Sequence, residues 1–514
     1  MTAEVPLRRK GAIRTVAASD SPLKARADHV CDGIDDAVEI NAAIEKIKIT
    51  GGTVRLMGGH YYLHTTGILQ RQGVYLAGEG LGATFISAAT GHSLTANSGL
   101  IELETRTNFV GGGVRGISLT GDGTISGTTG RANLDATVDG IDASGATYLF
   151  NYYVQSNSFR NFRRGWNGEG CRERYVPFDN NEIWYNTMGA YCGEHPNFGM
   201  NDCRYNDVAF GGEPYDVNFR GTKICYNRVG VTGRSSEAVE GAEHCFFNGC
   251  EFFGNTEVSL ILYGNNTANG CRFGVANSNV DNYILINAYP NVITGGCRFY
   301  SQVHPYGASL GAIRFGGTWT ISNQITNCLF RNPAGVCFAI DSNYTVRSTN
   351  ITGNIFTLNG QPIIRELAGE GKMVDCNISH NNIYFDGAVA YPVFEMTDTG
   401  AGTAGGNQWN YNSFDTSGGT AKPTCVFKGD LGLSSFCGNN LRRMVANNVP
   451  IIDATSDITG ATIRDNIGWG AQGMSSFVPA AVGSTRPDCP IPLVWIYPSR
   501  PTNMIAGDLW LNNG

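Results

Sequence analysis

No run of about eighteen apolar residues occurs in this 514-residue chain, so no segment reads as a membrane-spanning helix. Charge is scarce. Asp, Glu, Lys and Arg make up 16% of the residues, and a net charge of -7 gives no electrostatic ground for expecting a nucleic-acid partner. The first twenty residues, "MTAEVPLRRKGAIRTVAASD", are basic in part but lack the apolar stretch of a secretory signal, which predicts cytoplasmic synthesis without export. Metal-type cysteine spacing is missing too: the fifteen cysteines are scattered, odd in number, and include no CxxC pair or zinc-spaced Cys/His quartet. Most of them therefore read as buried thiols. Catalytic signatures are equally sparse. There is no GxSxG, and "GEGLG" at 78–82 is a turn between strands without the helix a dinucleotide site requires.

What is abundant is glycine, 68 residues of it, together with frequent Asn. Both supply turns and positive-φ positions, which favours many short strands over helices. The phrase "NNEIWYN" (180–186) returns as "MNDCRYN" (200–206) and "GTKICYN" (221–227). It belongs to a longer series marked by Asn157, Asn181, Asn201, Thr222, Cys250, Cys271, Cys297, Cys328, Asn354, Asn382, Asn412, Asn440 and Asn466. The mean spacing of about 26 residues is that of a solenoid. An apolar or aromatic residue usually follows two places later, as in "NSF", "NEI", "CRF" and "NIF", which is strand alternation. No copy carries a long amphipathic stretch, so helical repeats are excluded. Stacked coils of a parallel β-helix remain, with the marked Asn or Cys inward at a turn, the next residue outward and the one after it inward. An inward Asn column can satisfy buried backbone groups from coil to coil, and Cys fills the same slot as a small hydrophobe.

Prolines mark a second corner. Pro362, Pro392, Pro423 and Pro450 recur at intervals of 30, 31 and 27 residues, and proline belongs at the start of a strand. Before the repeats, "DGIDDAVEINAAIEKIKITGGTVRLMGGHYYL" (32–63) predicts a helix of about a dozen residues capped near Asp35 or Asp36, then a Gly-Gly turn and a strand. "FVPAAVGSTRPDCPIPLVWIYPSRPTNMIAGDLWLNNG" (477–514) breaks the period. It reads as an end cap with trimer contacts or, on the strength of Trp495 and Trp510, as a small glycan-binding module. The expected divisions are an arm at 1–24, a helix-capped opening at 25–100, the parallel β-helix of about 12 to 13 coils at 101–470 and the terminal segment at 471–514.

The segment 32–63, with "GVYLAGEGLGATFI" (73–86) after it, resembles the opening of pectate-lyase-like, right-handed parallel β-helix proteins, and "ASDSPLKARADHVCDGIDDAVEINAAI" (18–44) is most similar to phage and prophage tail proteins. The resemblance covers about residues 15 to 470. It implies an all-β homotrimer acting on a bacterial polysaccharide as a tailspike or capsule depolymerase, a lyase, a hydrolase or an epimerase. It also implies a place in a phage tail or baseplate, or release after host lysis, with no nucleic acid and no membrane insertion. Many tailspikes carry a sizeable particle-binding domain ahead of this motif, whereas only about 20 to 25 residues precede it here, which puts virion attachment in question. A non-catalytic receptor-binding or structural tail protein is the alternative, and a lyase or epimerase not tied to a virion is a second.

Ser158, Glu182, Asp202, Lys223, Glu251, Arg272, Arg298 and Leu329 follow the marked positions and so form one outward column. That column is open to two readings, a solubilising stripe or a glycan groove. In the groove reading Glu182, Asp202 and Glu251 are the catalytic candidates. Neighbouring carboxylates about one rung apart push one pKa up and supply an acid beside a base. Trp184 offers a stacking plane, and Arg204, Lys223, Arg272 and Arg298 offer charge to an acidic sugar. Further candidates are Trp166, Glu169, Glu173, Asp179, Glu194, His195, Asp207, Glu213, Asp216, Glu240 and Glu243. A competing group is Asp341, Arg365, Glu366, Glu395 and Asp398, in which Arg365 and Glu395 are expected to pair across rungs. A lyase needs a base beside a calcium or carboxylate-neutralising site; Lys223 between Asp202 and Glu251 can be read so, although no calcium motif is present, and no metal ligand is assigned. The paired-Asp and Gly-His-Gly phrases of polygalacturonase-like hydrolases are absent, and His60 and His64 in "GGHYYLH" read as structural.

Overall fold

A computed structural model of the chain describes residues 11–125, 135–233, 241–274, 282–300, 311–331, 336–341, 344–358, 362–366, 372–385, 391–396, 405–415, 423–429, 431, 433–442, 451–452, 461–466, 494–496 and 509–511. Two compact units divide it, Met1–Thr256 and Glu257–Gly514. Both are built almost wholly of short parallel strands, the parallel β-helix that the repeat predicts. Parallel crossovers adopt the right-handed sense.

In the first unit one coil consists of Pro177–Asp179, Glu182–Trp184 and Met188–Glu194, and the next of Asn197–Gly199, Asp202–Arg204 and Val208–Tyr215. Each strand pairs in parallel with its counterpart one coil on. The repeated seven-residue phrase is the middle strand with both of its corners. Asn180 and Tyr185 have positive φ, as do Met200 and Tyr205, and Gly221 and Tyr226. Such sharp turns leave buried peptide groups that no strand ladder can reach, and asparagine side chains satisfy them. At the first corner the Asn157 and Asn181 backbone N–H groups donate to Oδ1 of Asn181 and Asn201, each at 3.0 Å. At the second corner Asn186, Asn206 and Asn227 donate in the same way to Asn206, Asn227 and Asn255 at 2.9 to 3.0 Å. Each of these three also passes its Nδ2 to a main-chain carbonyl, those of Phe159, Ile183 and Cys203. The first column matches the sequence reading. The second, formed by the closing Asn of the phrase, was not anticipated.

In the second unit Cys271 donates its N–H to Cys297 Sγ at 3.3 Å, and Cys328 donates to Asn354 Oδ1 at 2.9 Å. The column then runs through Asn381, Asn412, Asn439 and Asn466. Asn382 and Asn440 are thus one place off: the inward residues are Asn381 and Asn439, both essentially without exposure. Each site reads Asn-Asn, and only one of the two can point inward. With that shift the alternation holds, since Asn382 begins an outward-facing strand whose next residue, Ile383, is buried. Phe273, Phe299, Phe330 and Phe356 form an inward stack with centroids 4.8, 4.5 and 4.9 Å apart. Pro362 and Pro392 stand two residues before Ile364–Glu366 and Phe394–Glu395, and Pro423 four before Phe427–Lys428, while Pro450 lies outside the described residues.

The predicted helix is Ala37–Ile47, burying Ala37, Ile40, Ala43, Ile44 and Ile47. Asp36 is its N-cap residue, but its carboxylate ties the preceding turn to the strand Gly59–Leu63 instead of capping: Gly33 N–H donates to Oδ1 at 2.8 Å and Tyr62 N–H to Oδ2 at 2.7 Å. Fourteen cysteines are buried free thiols, as expected. Of the terminal segment only two strands are described, Val494–Ile496 and Leu509–Leu511, which pair in parallel.

Truncating Phe299 to alanine removes a ring held between two others, so Phe299→Ala should destabilise the protein by about 3 to 5 kcal/mol. Guanidinium denaturation followed by circular dichroism measures it.

Candidate functional site

Register places the expected outward column as the alternation requires. In the first unit Ser158, Glu182, Asp202, Lys223 and Glu251 occupy matching positions on consecutive strands. Two residues along, Arg160, Trp184, Arg204, Cys225 and Phe253 form a parallel row. The side chains are less free than the sequence suggests. Arg160 Nη2 donates to Glu182 Oε2 at 3.1 Å, and its guanidinium lies 4.7 Å from the Trp184 ring centroid, so one face of that indole is already covered. Arg204 Nε donates to Asp202 Oδ1 at 2.5 Å. Ser158 is buried, with its hydroxyl accepting from Arg160. Lys223 and Glu251, neighbours in register, form no ion pair among the described residues.

Beside this row stand three residues that sequence reasoning passed over. Tyr185, Tyr205 and Tyr226 occupy the positive-φ corner and stack face to face, with centroids 5.2 and 5.3 Å apart and planes within 10°. The signal was visible as the Tyr before the closing Asn in all three copies of the phrase. Period-2 alternation does not govern a corner, and so gave it no weight.

A second group gathers at another corner of the same unit. Arg172, Glu194, Tyr215 and Glu243 align on successive strands, and His195, Asp216 and His244 follow Glu194, Tyr215 and Glu243 in positive-φ turns. His195 Nδ1 lies 3.3 Å from Asp216 Oδ2, Arg172 Nε 3.2 Å from Glu194 Oε2, and the Tyr215 and His244 rings 4.9 Å apart. Four of the dispersed candidates, Glu194, His195, Asp216 and Glu243, are thus brought together. Others are not. Asp207 pairs with Arg228 and Glu169 with Arg164, while Glu240 and Asp398 lie outside the described residues.

Trp166 and Glu173 are buried and belong to the interior, not to a sugar platform. Trp166 Nε1 donates to Glu173 Oε1 at 2.7 Å, and Glu173 Oε2 has no hydrogen-bond partner. Burial pushes the Glu173 carboxyl up to about 8, so it is held mainly as the neutral acid at pH 7. The pocket is tight: a Cβ at Gly168 would stand 2.2 Å from Glu173 Oε1, which only glycine avoids.

In the second unit Arg272 and Arg298 are exposed and directly opposite each other. Three members of the competing group there are engaged in ion pairs. Arg365 Nε donates to Glu395 Oε2 at 2.8 Å across the rungs, as expected, and Asp341 is held by Arg314 at 2.8 and 2.9 Å. His60 stacks on Phe85 at 4.6 Å, which agrees with a structural role. Among the described residues the one group close enough to share a metal is Cys31, Asp36 and Glu39. It fits poorly, because both Asp36 oxygens already accept backbone N–H bonds and a helix N-terminus repels a cation.

No family model matches the chain, and no curated protein matches it. Among solved structures it is similar to ORF18 of Geobacillus virus E2, with 16% identity over 70% of this chain and 59% of that one and a TM-score of 0.28. It is similar also to tailspike protein 3 of bacteriophage CBA120, with 12% identity, 94% and 64% coverage and a TM-score of 0.37. A third is a DFA-IIIase from Arthrobacter chlorophenolicus A6, with 11% identity, 73% and 95% coverage and a TM-score of 0.40. The chain thus spans less than two thirds of either phage protein. With scores this low, the fold rests on the strand pairing described above.

The buried Glu173 has a pH signature. Its folded pKa of about 8 exceeds the ordinary value of 4.5, so the folded state holds a proton that the unfolded chain releases. Its contribution to stability is full below pH 4.5 and is lost as pH rises through about 8, at up to about 1.4 kcal/mol per pH unit. Glu173→Gln should match the parent near pH 5 and exceed it at pH 9, as measured by denaturation at both pH values.

Proposed function

We propose that this chain binds and cleaves a bacterial surface polysaccharide, by hydrolysis or β-elimination, on the outward face carrying Glu182, Asp202 and Glu251. The observation that carries the reading is the common register of those three carboxylates with Lys223, on consecutive strands of a rigid coil stack. Trp184, Arg204 and Lys223 supply contact to the glycan, and Arg272 and Arg298 hold charged sugars on the second unit. The resemblance of residues 18–44 to phage tail proteins adds that the chain is homotrimeric and serves a phage tail.

Hydrolysis needs one carboxyl to protonate the glycosidic oxygen and a second to attack the sugar or activate water. β-Elimination needs a base at the carbon beside a uronate and a cation to neutralise that uronate. In either case an incoming glycan meets unneutralised charge first at Lys223 and Glu251, because Glu182 and Asp202 rest in ion pairs with Arg160 and Arg204. Those same ion pairs favour the second reading, a spike that holds sugar on this face without cleaving it.

Purified protein should be offered a panel of capsular polysaccharides and exopolysaccharides while reducing ends and the ultraviolet absorbance of unsaturated uronates are followed together. New reducing ends without that absorbance mean hydrolysis, and both signals rising mean elimination. Glu182→Gln and Asp202→Asn should each lower turnover by about 10²- to 10⁴-fold while binding survives. If those variants keep full activity and Glu194→Gln or Asp216→Asn loses it, the chemistry lies at the His195 corner. A polysaccharide that is bound but yields neither signal leaves the receptor-binding spike.

A further inference from the structure

Across the described residues, arginines facing outward from the coils are commonly matched by a carboxylate on the same or a neighbouring strand: Arg160 by Glu182, Arg204 by Asp202, Arg228 by Asp207, Arg314 by Asp341 and Arg365 by Glu395. One face of the second unit carries several that are not. Arg272 stands in register with Arg298, and Tyr300, two residues along that strand, stands in register with Arg331 on the next. All three arginines are exposed, and none forms an ion pair or hydrogen bond among the described residues. Like charges directly opposite each other on neighbouring strands are destabilising, and Arg298 and Arg331 are diagonal neighbours at roughly 7 to 8 Å. Exposed arginines without an ion pair among the described residues occur singly elsewhere, as at Arg115, Arg174 and Arg347, but here three share adjoining strands, which is the arrangement that an external anion completes.

Farther along the same two rows lie Ile355 and Tyr384, each 42% exposed. Cations followed by an apolar and aromatic surface suit a chain of sugar rings bearing acidic substituents. A nucleic acid fits less well, since a strongly charged polyanion meets a protein of net charge -7.

We infer that Arg272, Arg298 and Arg331 form a binding site for the acidic groups, carboxylate or sulfate, of a polyanionic glycan. This deepens the proposed function, on which the choice of a glycan rests, and places acid-bearing polymers ahead of neutral ones as its substrates. The site takes the acidic group as a bidentate partner of one guanidinium while a second neutralises it. Binding therefore weakens with salt.

The test uses the whole chain and gel-retardation affinity for polygalacturonate, dextran sulfate, unmodified dextran and duplex DNA at two salt concentrations. Wild type should be retarded by one or both acidic polysaccharides and not by dextran, and whichever of the two binds more tightly identifies the anion. Arg272→Ala/Arg298→Ala should weaken that affinity about tenfold or more. Arg298→Glu puts a carboxylate opposite Arg272. It should melt no lower than wild type and still lose binding, which separates a binding role from a folding defect. Lys372→Ala, on another strand of the unit, should bind as wild type does. Affinity indifferent to Arg298→Glu, or equal for dextran, overturns the proposal, and so does tighter retention by DNA. Polyanion binding without cleavage leaves this site standing and ends the depolymerase reading, whereas cleavage of a polyuronate unaffected by Arg298→Glu does the reverse.

Discussion

Everything else in each unit depends on how the corners between strands are satisfied. A parallel strand ladder can pair the backbone only where the chain is extended, and every coil must also turn. At many of those turns the buried amides find asparagine side chains, and asparagines such as Asn186, Asn206 and Asn227 are each held by the one on the next coil. Asn206 shows the economy of the device: its own N–H and its Nδ2 both reach Asn227 Oδ1, and Nδ2 also reaches the Ile183 carbonyl. A buried polar network is stable only when every member has its partner, so this one ties the position of each coil to that of its neighbour. Positional certainty inside then fixes the register of the strand between two such corners, and with it every side chain on the outer face.

That outer face is where the two units differ in character. On the first, the carboxylates and guanidiniums of the row at Glu182 and Asp202 largely answer each other. On the second, the row beginning at Arg272 carries one sign of charge and then becomes apolar. A groove that neutralises itself can rearrange its pairs around a substrate, whereas an unanswered cluster attracts a charged ligand before contact. The corner with Glu194, His195 and Asp216 is of a third kind, in which groups capable of proton transfer meet in a turn beside the Tyr215 ring.

Much of the fold was legible because it depends on short-range periodicity. The marks Asn157, Asn181 and Asn201, the initial helix and the proline corners could all be read from spacing, since each is a local requirement repeated once per coil. The errors were local in the same way. At 381–382 and 439–440 two asparagines adjoin, and spacing alone could not say which one points inward; the burial of Ile383 and Leu441 decides it. The site was legible only as far as register reaches. The column from Glu182 to Glu251 follows from alternation, but the engagement of Glu182 by Arg160 depends on how long side chains reach sideways between rows. The tyrosine stack belongs to a corner where alternation lapses. The His195 group joins residues some 70 positions apart in sequence, from Arg172 to His244, and only the coil geometry brings them together.

The inward corner columns, doubled with asparagine in part of the first unit, also govern how such a chain can change over evolutionary time. A single added residue within a phrase such as "NEIWYN" would move one column out of step with the other, and the damage would spread to both adjoining coils. A whole coil, by contrast, carries its own inward corner residues, two asparagines in the coils at 181–186 and 201–206. Lineages can therefore lengthen or shorten the stack by copying or losing complete turns, and each new turn arrives with one fresh three-residue window of outer surface. Novelty in what the surface recognises is thus supplied in fixed parcels, with the interior copied unchanged.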